Sequence, residues 1–483
     1  MSSIEDIRKV RISKLNKLRE RGIDPYPATS NRTHSNAFAI SIFNELEGGE
    51  SICLAGRILS TRTQGKLIFV DFDDGTGKFQ ALLKKGDPTP DSVFELFEEC
   101  FDVGDFIEFK GTLFKTKREE KTILVDNIRM LSKSLLPLPE KWHGLQDVEE
   151  RFRRRYLDII SNPEVKKLFI LKAKFWDVTR NFLKREGFLE VETPTLELTT
   201  GGAEARPFKT HHFDFDLDVY LRISIGELWQ KRLMSAGFPK TFEIGRAYRN
   251  EGSSPEHLQE FTNMEFYWSY ADYKMGMDLV KKMYREIALE VFGTTKFSTR
   301  GHTFDLNDEW ILIDFTEEIK KQIGIDVTTA SIEEMRVRLD ELSVKYEGIN
   351  RERLTDSLWK FCRKNISGPA FLINHPTLIG PLAKYNIGGN SVQMFQPIIA
   401  GSEVGRGYSE LNDPIDQKER FEIQQKLIDA GDEEAMMPDW EFVEMLEYGM
   451  PPTCGFGFGE RFFAFLVDKP LRETQLFPLM RPK

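Results

Sequence analysis

Phe242-Glu-Ile-Gly-Arg246-Ala-Tyr-Arg249-Asn-Glu251-Gly, then His257, then Glu260-Phe261-Thr-Asn-Met-Glu265-Phe-Tyr267 is the stretch from which the fold is read. An apolar run delivers two arginines, an acid and a turn. A second run carries an aromatic residue and an acid. Two antiparallel strands around a loop put a cationic fork, a purine-sized ring and a carboxylate on one surface. Arg249 can hold a phosphate or carboxylate by two-point hydrogen bonding. Phe261 can stack on a base, and Glu251 can accept from an exocyclic amine. Glu265 and Tyr267 stand two apart on the second run, so they share a face.

The chain has 483 residues, enough for two or three domains with large cores. Its 40% apolar and 30% charged residues describe a globular protein. No segment approaches the ~20 uninterrupted apolar residues of a membrane span, and the N-terminus lacks the apolar run of a secretory signal. Cys53, Cys100, Cys362 and Cys454 are far apart and offer neither a zinc pair nor a disulfide framework. A reduced, cytoplasmic protein is expected. The net charge of −10 argues against nonspecific coating of nucleic acid, while leaving room for a local basic face.

Residues 1–50 open with a helical pattern over Ile4–Arg21. Ile4, Ile7, Val10, Leu15 and Leu18 form an apolar stripe, and Arg8, Lys9, Arg11, Lys14, Lys17, Arg19 and Arg21 lie on the other face. That face is either solvated or a contact for RNA phosphates. Residues 51–133 read as five short strands (Ser51–Ile58, Lys66–Asp71, Lys78–Leu83, Asp105–Leu113 and Lys121–Leu131) with a helix-like Asp91–Cys100 after the third. This pattern matches an OB-fold barrel, which binds single-stranded nucleic acid with aromatics on its strands. Phe69 is the candidate stacking residue, with Arg62 and Gln80 beside it; a place in the barrel core is its alternative. Residues 134–160 read as a linker, and 161–483 as a mixed domain with a charged helical insertion over about 329–365. The fold class is therefore α+β, a five-stranded barrel followed by a domain whose antiparallel sheet is flanked by helices.

Two further segments bear on the chemistry. Over about 182–194, Phe182-Leu-Lys-Arg-Glu-Gly187-Phe-Leu-Glu-Val-Glu192-Thr-Pro194 reads as a helix, a glycine cap and a strand ended by proline. Over about 455–467, Gly455-Phe-Gly457-Phe-Gly459-Glu460-Arg461 precedes an apolar run. No βαβ unit surrounds these glycines, which removes the dinucleotide-binding reading. In order, the three segments resemble motifs 1, 2 and 3 of the class II aminoacyl-tRNA synthetases. Further stretches resemble the lysyl branch: Arg19–Pro27, His143–Asp147, Arg155–Ile160, Gly201–Phe208, Gly405-Arg-Gly-Tyr-Ser-Glu-Leu-Asn-Asp413 and Glu447–Thr453.

The resemblance implies ATP-dependent activation of lysine, then its transfer to the 3′ end of tRNA(Lys), with ATP and Mg²⁺ required and a homodimer formed through motif 1. Arg249 and Arg461 would be catalytic. Arg249, Glu251, His257, Phe261 and Arg461 would bind ATP. Gly202, Glu227, Arg249, Glu265, Tyr267, Arg406, Tyr408 and Glu410 would bind lysine. Glu403 would hold Mg²⁺, and Arg62, Phe69, Gln80 and Asn127 would meet the anticodon. A lysine ammonium has three donors and no acceptor, so its pocket needs carboxylates. Glu265 and Glu410 supply two, which opposes an aspartate or asparagine substrate. Five departures stand out from the family pattern, one of them an extra residue before Glu227. Gln396 replaces a second metal-binding glutamate, Arg406 an asparagine and Asn127 an acid, and motif 3 is one residue short before Glu460. A lysine-activating relative that modifies a protein or makes a signalling nucleotide is the alternative, and residues 51–133 argue against it. Phe188 is expected at the two-fold interface.

Overall fold

The computed structural model describes residues 3–139, 145, 147–203, 205–252, 257–346, 348, 350–377, 380–430 and 435–482; His143, Gly144, Gln146 and Glu204 of the quoted stretches lie outside them. The chain divides into two compact units, Met1–Asp147 and Val148–Lys483. Among the described residues, no helix is long and apolar enough to cross a membrane.

In the first unit, β1 (Ile52–Gln64), β2 (Leu67–Asp73), β3 (Lys78–Lys84), β4 (Phe106–Lys115) and β5 (Lys121–Ser132) close a barrel in the order β1-β2-β3-β5-β4. Only β3 and β5 pair in parallel. Side chains alternate across a strand, so Ile68, Val70 and Phe72 of β2 and Phe79, Ala81 and Leu83 of β3 fill the interior. Helix Asp91–Cys100 adds Phe94, Phe97 and Cys100 to that core.

Helix α1 (Ile4–Glu20) is capped by Ser3 and Asp6. Its basic face is neither wholly solvated nor wholly free for RNA. Arg11 is buried and donates to the carbonyls of Val103, Ser134 and Leu136. Lys14 pairs with Asp102 at 2.7 Å and Arg21 with Glu99 at 2.6 Å. Only Arg8, Lys9, Lys17 and Arg19 of that face remain exposed without such anchoring.

In the second unit, the expected linker residues beyond Asp147 are helical, over Val148–Arg153 and Arg155–Ser161. Arg155 is 1% exposed, donates to the carbonyls of Glu473, Gln475 and Leu476, and pairs with Asp158. The long helix starts at Pro163, where a proline costs no hydrogen bond, and ends at Arg185. The main sheet runs Ile311–Asp314, Ala370–Ile373, Met394–Ile399, Arg406–Ser409, Thr453–Gly459, Glu260–Ser269, Lys240–Tyr248, Leu189–Glu190, with Ser402–Glu403 paired beside Met394–Ile399. Its central strands are antiparallel, as expected. The outermost pair at each end is parallel, which makes the sheet mixed. The insertion forms helices Ile332–Glu341 and Arg351–Cys362. With Phe315–Ile323 they bury Leu339, Leu354, Leu358 and Trp359 against Ile313, Leu372 and Ile398 of the sheet.

Phe188 corrects the interface expectation. It is 4% exposed, and its ring meets Phe266 at 5.1 Å and Trp268 at 6.3 Å inside the chain's own core. The strand is only two residues long, so the glycine turn at Gly187 sends Phe188 inward, under the sheet. Phe188→Ala should therefore destabilise the second unit by about 3–5 kcal/mol, the usual cost of emptying a buried phenylalanine site. Denaturant unfolding checks this, and a change below about 1 kcal/mol would contradict the core placement.

Candidate active site

The site lies where three strands meet. Across the sheet, Glu265 pairs with Gly457 and Gly457 with Arg406; Tyr267 pairs with Gly455 and Gly455 with Tyr408. The glycine strand thus separates two strands bearing large polar side chains, and its missing side chains leave a hollow. A cavity of about 410 Å³ occupies it. Its walls include every residue singled out for catalysis and for ATP, lysine or metal binding: Gly202, Glu227, Arg249, Glu251, His257, Phe261, Glu265, Tyr267, Gln396, Glu403, Arg406, Tyr408, Glu410 and Arg461.

One end is cationic and aromatic. The first quoted run and its partner form a hairpin with Ala247 opposite Phe261 and Tyr248 opposite Glu260. Arg246 turns outward and pairs with Glu260 at 3.6 Å, so only Arg249 of the two arginines enters the cavity. The Arg249 guanidinium lies 5.3 Å from the centre of the Phe261 ring. Burial draws its pKa below the ordinary arginine value, against the pull of Glu251 and Glu265. Arg461 begins the helix after the glycine strand and donates to His257 Nε2 at 3.4 Å. Beneath it, Glu460 is fully buried. Glu460 accepts from the amide of Thr262 and the side-chain amide of Gln475, each at 2.7 Å, and from Lys172 Nζ. The start of the Arg461 helix is thus tied directly to the strand Glu260–Ser269.

The other end is acidic. Glu265 accepts from the amide of Ile225 at 2.8 Å, from Asn263 at 3.1 Å and from the Tyr267 hydroxyl at 3.1 Å. Burial, reinforced by Glu227, pushes its carboxyl up to about 7. Glu227 follows Gly226, whose φ of 62° starts the helix Glu227–Ser235. It accepts from the Tyr408 hydroxyl and from Lys231 Nζ, the latter at 2.7 Å. A Cβ on Gly202 would stand 2.7 Å from Glu227 Oε2, so only glycine lets that backbone lie against the acid. Glu410 is 1% exposed. Its Oε2 stands 2.5 Å from Lys231 Nζ, and neither oxygen has an aligned hydrogen bond among the described residues. Burial lifts its pKa well above the carboxylate range, and Lys231 opposes that lift.

The donors expected for metal do not make a resident metal site. Glu403 Oε1 accepts from Trp359 Nε1 at 2.5 Å and Oε2 from Arg363 at 2.9 Å. Burial would raise the Glu403 pKa, but Arg363, Trp359 and Arg406 hold it down. Gln396 Oε1 faces His375 Nε2 at 2.8 Å, and burial keeps that imidazole neutral, with a pKa down to about 4. A hard cation wants several free oxygens, and no group of three or more His, Cys, Asp or Glu among the described residues could hold one.

The four residues expected at the anticodon do not all come together. Arg62 stands opposite Phe69 across β1 and β2, with its guanidinium 6.0 Å from the ring centre. Phe69 is half-buried and outside the barrel core. Gln80 opposes Asp71 and accepts from Thr122 at 2.9 Å, on the same outer face. Asn127 pairs with Lys110, five residues further along β5 from Thr122 and so about 16 Å away. The exposed acid that does adjoin Thr122 is Glu120, whose carbonyl accepts from its hydroxyl. Sequence reading missed Glu120, Lys231 and Lys172. The i,i+4 spacing of Glu227 and Lys231 was the available signal for the second.

Residues 147–481 match the profile of the class II tRNA synthetases (D, K and N), and residues 52–131 match the OB-fold nucleic acid binding domain. The chain is 43% identical to a lysine–tRNA ligase of Roseiflexus sp. (strain RS-1) over 488 residues, 99% of each chain. It is 44% identical to a lysine–tRNA ligase of Moorella thermoacetica over 484 residues, 99% of this chain and 98% of the other. With a lysine–tRNA ligase of Thermotoga maritima the identity is 41% over 488 residues, 99% and 97% of the two chains.

Proposed function

The chain belongs to the class II tRNA synthetases of the aspartate, lysine and asparagine group, and on that premise we propose that it activates lysine with ATP and transfers it to tRNA. The observation that carries the choice of lysine is the acidic end of the cavity, where Glu265 and Glu410 are buried and Glu410 has an oxygen without a hydrogen-bond partner among the described residues. A lysine ammonium, with three donors, fits there. An aspartate carboxylate would meet two acids. A lysine-activating enzyme that modifies a protein is not favoured, because the chain matches lysine–tRNA ligases along its whole length, barrel included.

In this reading, Gly202 and Glu227 receive the α-ammonium, and Tyr267 and Tyr408 flank the side chain. Arg249 holds the α-carboxylate and α-phosphate, with Arg406 at the same edge. Phe261 stacks on adenine, Glu251 accepts from its amine, and His257 and Arg461 meet the outer phosphates. A lysine carboxylate oxygen attacks the α-phosphorus in line and pyrophosphate leaves. The nucleophile is already anionic, so the step needs positioning and charge neutralisation rather than a general base. The terminal 3′-hydroxyl of tRNA then attacks the adenylate carbonyl and AMP leaves. ATP enters as its Mg²⁺ complex, the ion belonging to the substrate, and Glu403 would face it from the cavity wall.

On the barrel, Phe69 stacks an anticodon base while Arg62 and Gln80 read beside it. Glu120 takes the place expected of Asn127 as the acidic neighbour. We also place the enzyme in the cytoplasm, in accord with four buried, unpaired thiols. It is proposed to act as a homodimer through the motif 1 segment, where Leu189, Leu196 and Leu198 are 50%, 51% and 64% exposed. Light scattering should return twice the chain mass at micromolar concentration; the mass of one chain with full activity would remove the dimer.

Two further tests follow. ATP–pyrophosphate exchange should respond strongly to lysine alone among the amino acids, and Arg249→Ala should slow it by 10²–10³, as for one lost clamp worth ~3–4 kcal/mol. Faster exchange with aspartate or asparagine than with lysine would overturn the substrate assignment. Phe69→Ala should weaken tRNA charging by the ~1–3 kcal/mol of one base stack and leave exchange unchanged. A parallel loss of both activities in a folded protein would make Phe69 a structural residue.

A further inference from the structure

Lys231 stands behind two of the acids that line the proposed lysine pocket. It lies one turn into the helix Glu227–Ser235, is 1% exposed, and places its ammonium 2.7 Å from Glu227 Oε1 and 2.5 Å from Glu410 Oε2. The rings of Tyr267, Tyr408 and Phe442 surround it at 5.9, 5.4 and 5.8 Å. Burial alone would strip its proton, but Glu227 and Glu410 keep it charged. Aromatic faces add to that hold. Lys231 does not itself line the cavity; the acids it touches do.

We propose that Lys231 is a positioning and specificity-determining residue for the substrate, the resident counter-ion that holds the Glu227 and Glu410 carboxyl groups aimed into the pocket before lysine arrives. The inference rests on the reading of this cavity as a lysine site. Three carboxylates, Glu227, Glu265 and Glu410, converge there with one ammonium and, at the far edge, Arg249. Their formal sum is −1, from three negative and two positive charges. Free lysine, with two ammoniums and one carboxylate, carries +1, so the filled pocket is neutral. Without Lys231 the same acids would sum to −2 and would take up a proton from water. The incoming ammonium would then have to displace that proton.

The groups facing Lys231 come from each packed element. Glu227 belongs to its own helix. Glu265 and Tyr267 come from strand Glu260–Ser269, Tyr408 and Glu410 from the strand Arg406–Ser409 and the residue just beyond it, and Phe442 from helix Trp440–Glu447. Arg232 on the next helical position is engaged with Asp439. The Cys454 thiol, near Glu410, is pushed well above its ordinary value by burial and stays neutral. Arg406 and Arg461 are further cations lining the cavity. Lys231 is therefore the one cation within ion-pair distance of Glu410 among the described residues.

The test is the lysine KM in pyrophosphate exchange between pH 6 and 8.5. A buried acid with a raised pKa is protonated below that value and cannot hold the substrate ammonium, so KM should fall as pH rises through the ionisation of Glu265 and Glu410, both pushed up by burial. In Lys231→Met the inflection should move up by at least one pH unit. KM for lysine at pH 7 should rise tenfold or more, while KM for ATP stays within twofold. Lys231→Arg should keep the wild-type inflection. A Lys231→Met enzyme that is slower or less stable but keeps the wild-type inflection would make Lys231 merely structural and overturn the proposal. If that variant does not fold, calorimetry of lysine binding to the wild type in buffers of different ionisation enthalpy decides. No more than one proton should be released at pH 7, and release of two would overturn the role of Lys231. An absence of any lysine-dependent exchange in the wild type would instead refute the lysine reading itself.

Discussion

Alternate glycines in the strand Thr453–Gly459 are the constraint on which the cavity depends. A strand sends successive side chains to opposite faces. On one face Gly455 and Gly457 present nothing, and there is no room for more. A Cβ at Gly455 would stand 2.1 Å from Glu410 Oε1 and 2.6 Å from the Tyr267 ring, and one at Gly457 would stand 2.8 Å from Glu265 Cγ. On the other face Phe456 and Phe458 are almost fully buried and meet Tyr284 at 6.3 and 5.5 Å. The same strand therefore anchors the core of the second unit and forms the floor of its site. Its period-2 alternation links the two, because a one-residue slip would drive phenylalanines into the cavity and glycines into the core.

The electrostatics of the cavity follow from burying opposite charges at its two ends. Burial disfavours charge of either sign. It lowers Arg249 and raises Glu265 and Glu410, and each departs from its ordinary value in the direction that makes it hungry for a counter-charge. A zwitterion with an extra terminal ammonium relieves both ends at once. This is selectivity by difference, since a ligand with an acidic side chain would relieve one end and aggravate the other.

What was legible in the sequence was what short spacing determines. The hairpin around Arg249, the shared face of Glu265 and Tyr267, and the barrel with its helix after the third strand all depend on local alternation, turns and glycines. They appear with shifts at their ends, the largest in β1, which runs past the expected Ile58 to Gln64. What was not legible depends on which distant element arrives opposite. Phe188 has the look of an interface residue until Phe266 and Trp268 close over it. Arg11 and Lys14 read as a solvated or RNA-facing stripe until the barrel offers carbonyls and Asp102. Asn127 was placed with the base readers by the resemblance. The register shift in β4 and β5 between Lys110 and Gly111 puts it out of their row, with Glu120 nearer. Glu403 was expected to hold a metal ion by the resemblance, and nothing in its neighbourhood in sequence reveals Arg363 and Trp359.

Gln396 and Arg406 line the cavity with a neutral amide and a guanidinium. His375 stays neutral beside Gln396 and adds no charge. Arg363 and Trp359 engage Glu403 there. Guanidinium groups meet phosphate charge with directional hydrogen bonds. Glu460 fastens the start of the Arg461 helix to Thr262, Gln475 and Lys172, so Arg461 is anchored from below by buried hydrogen bonds.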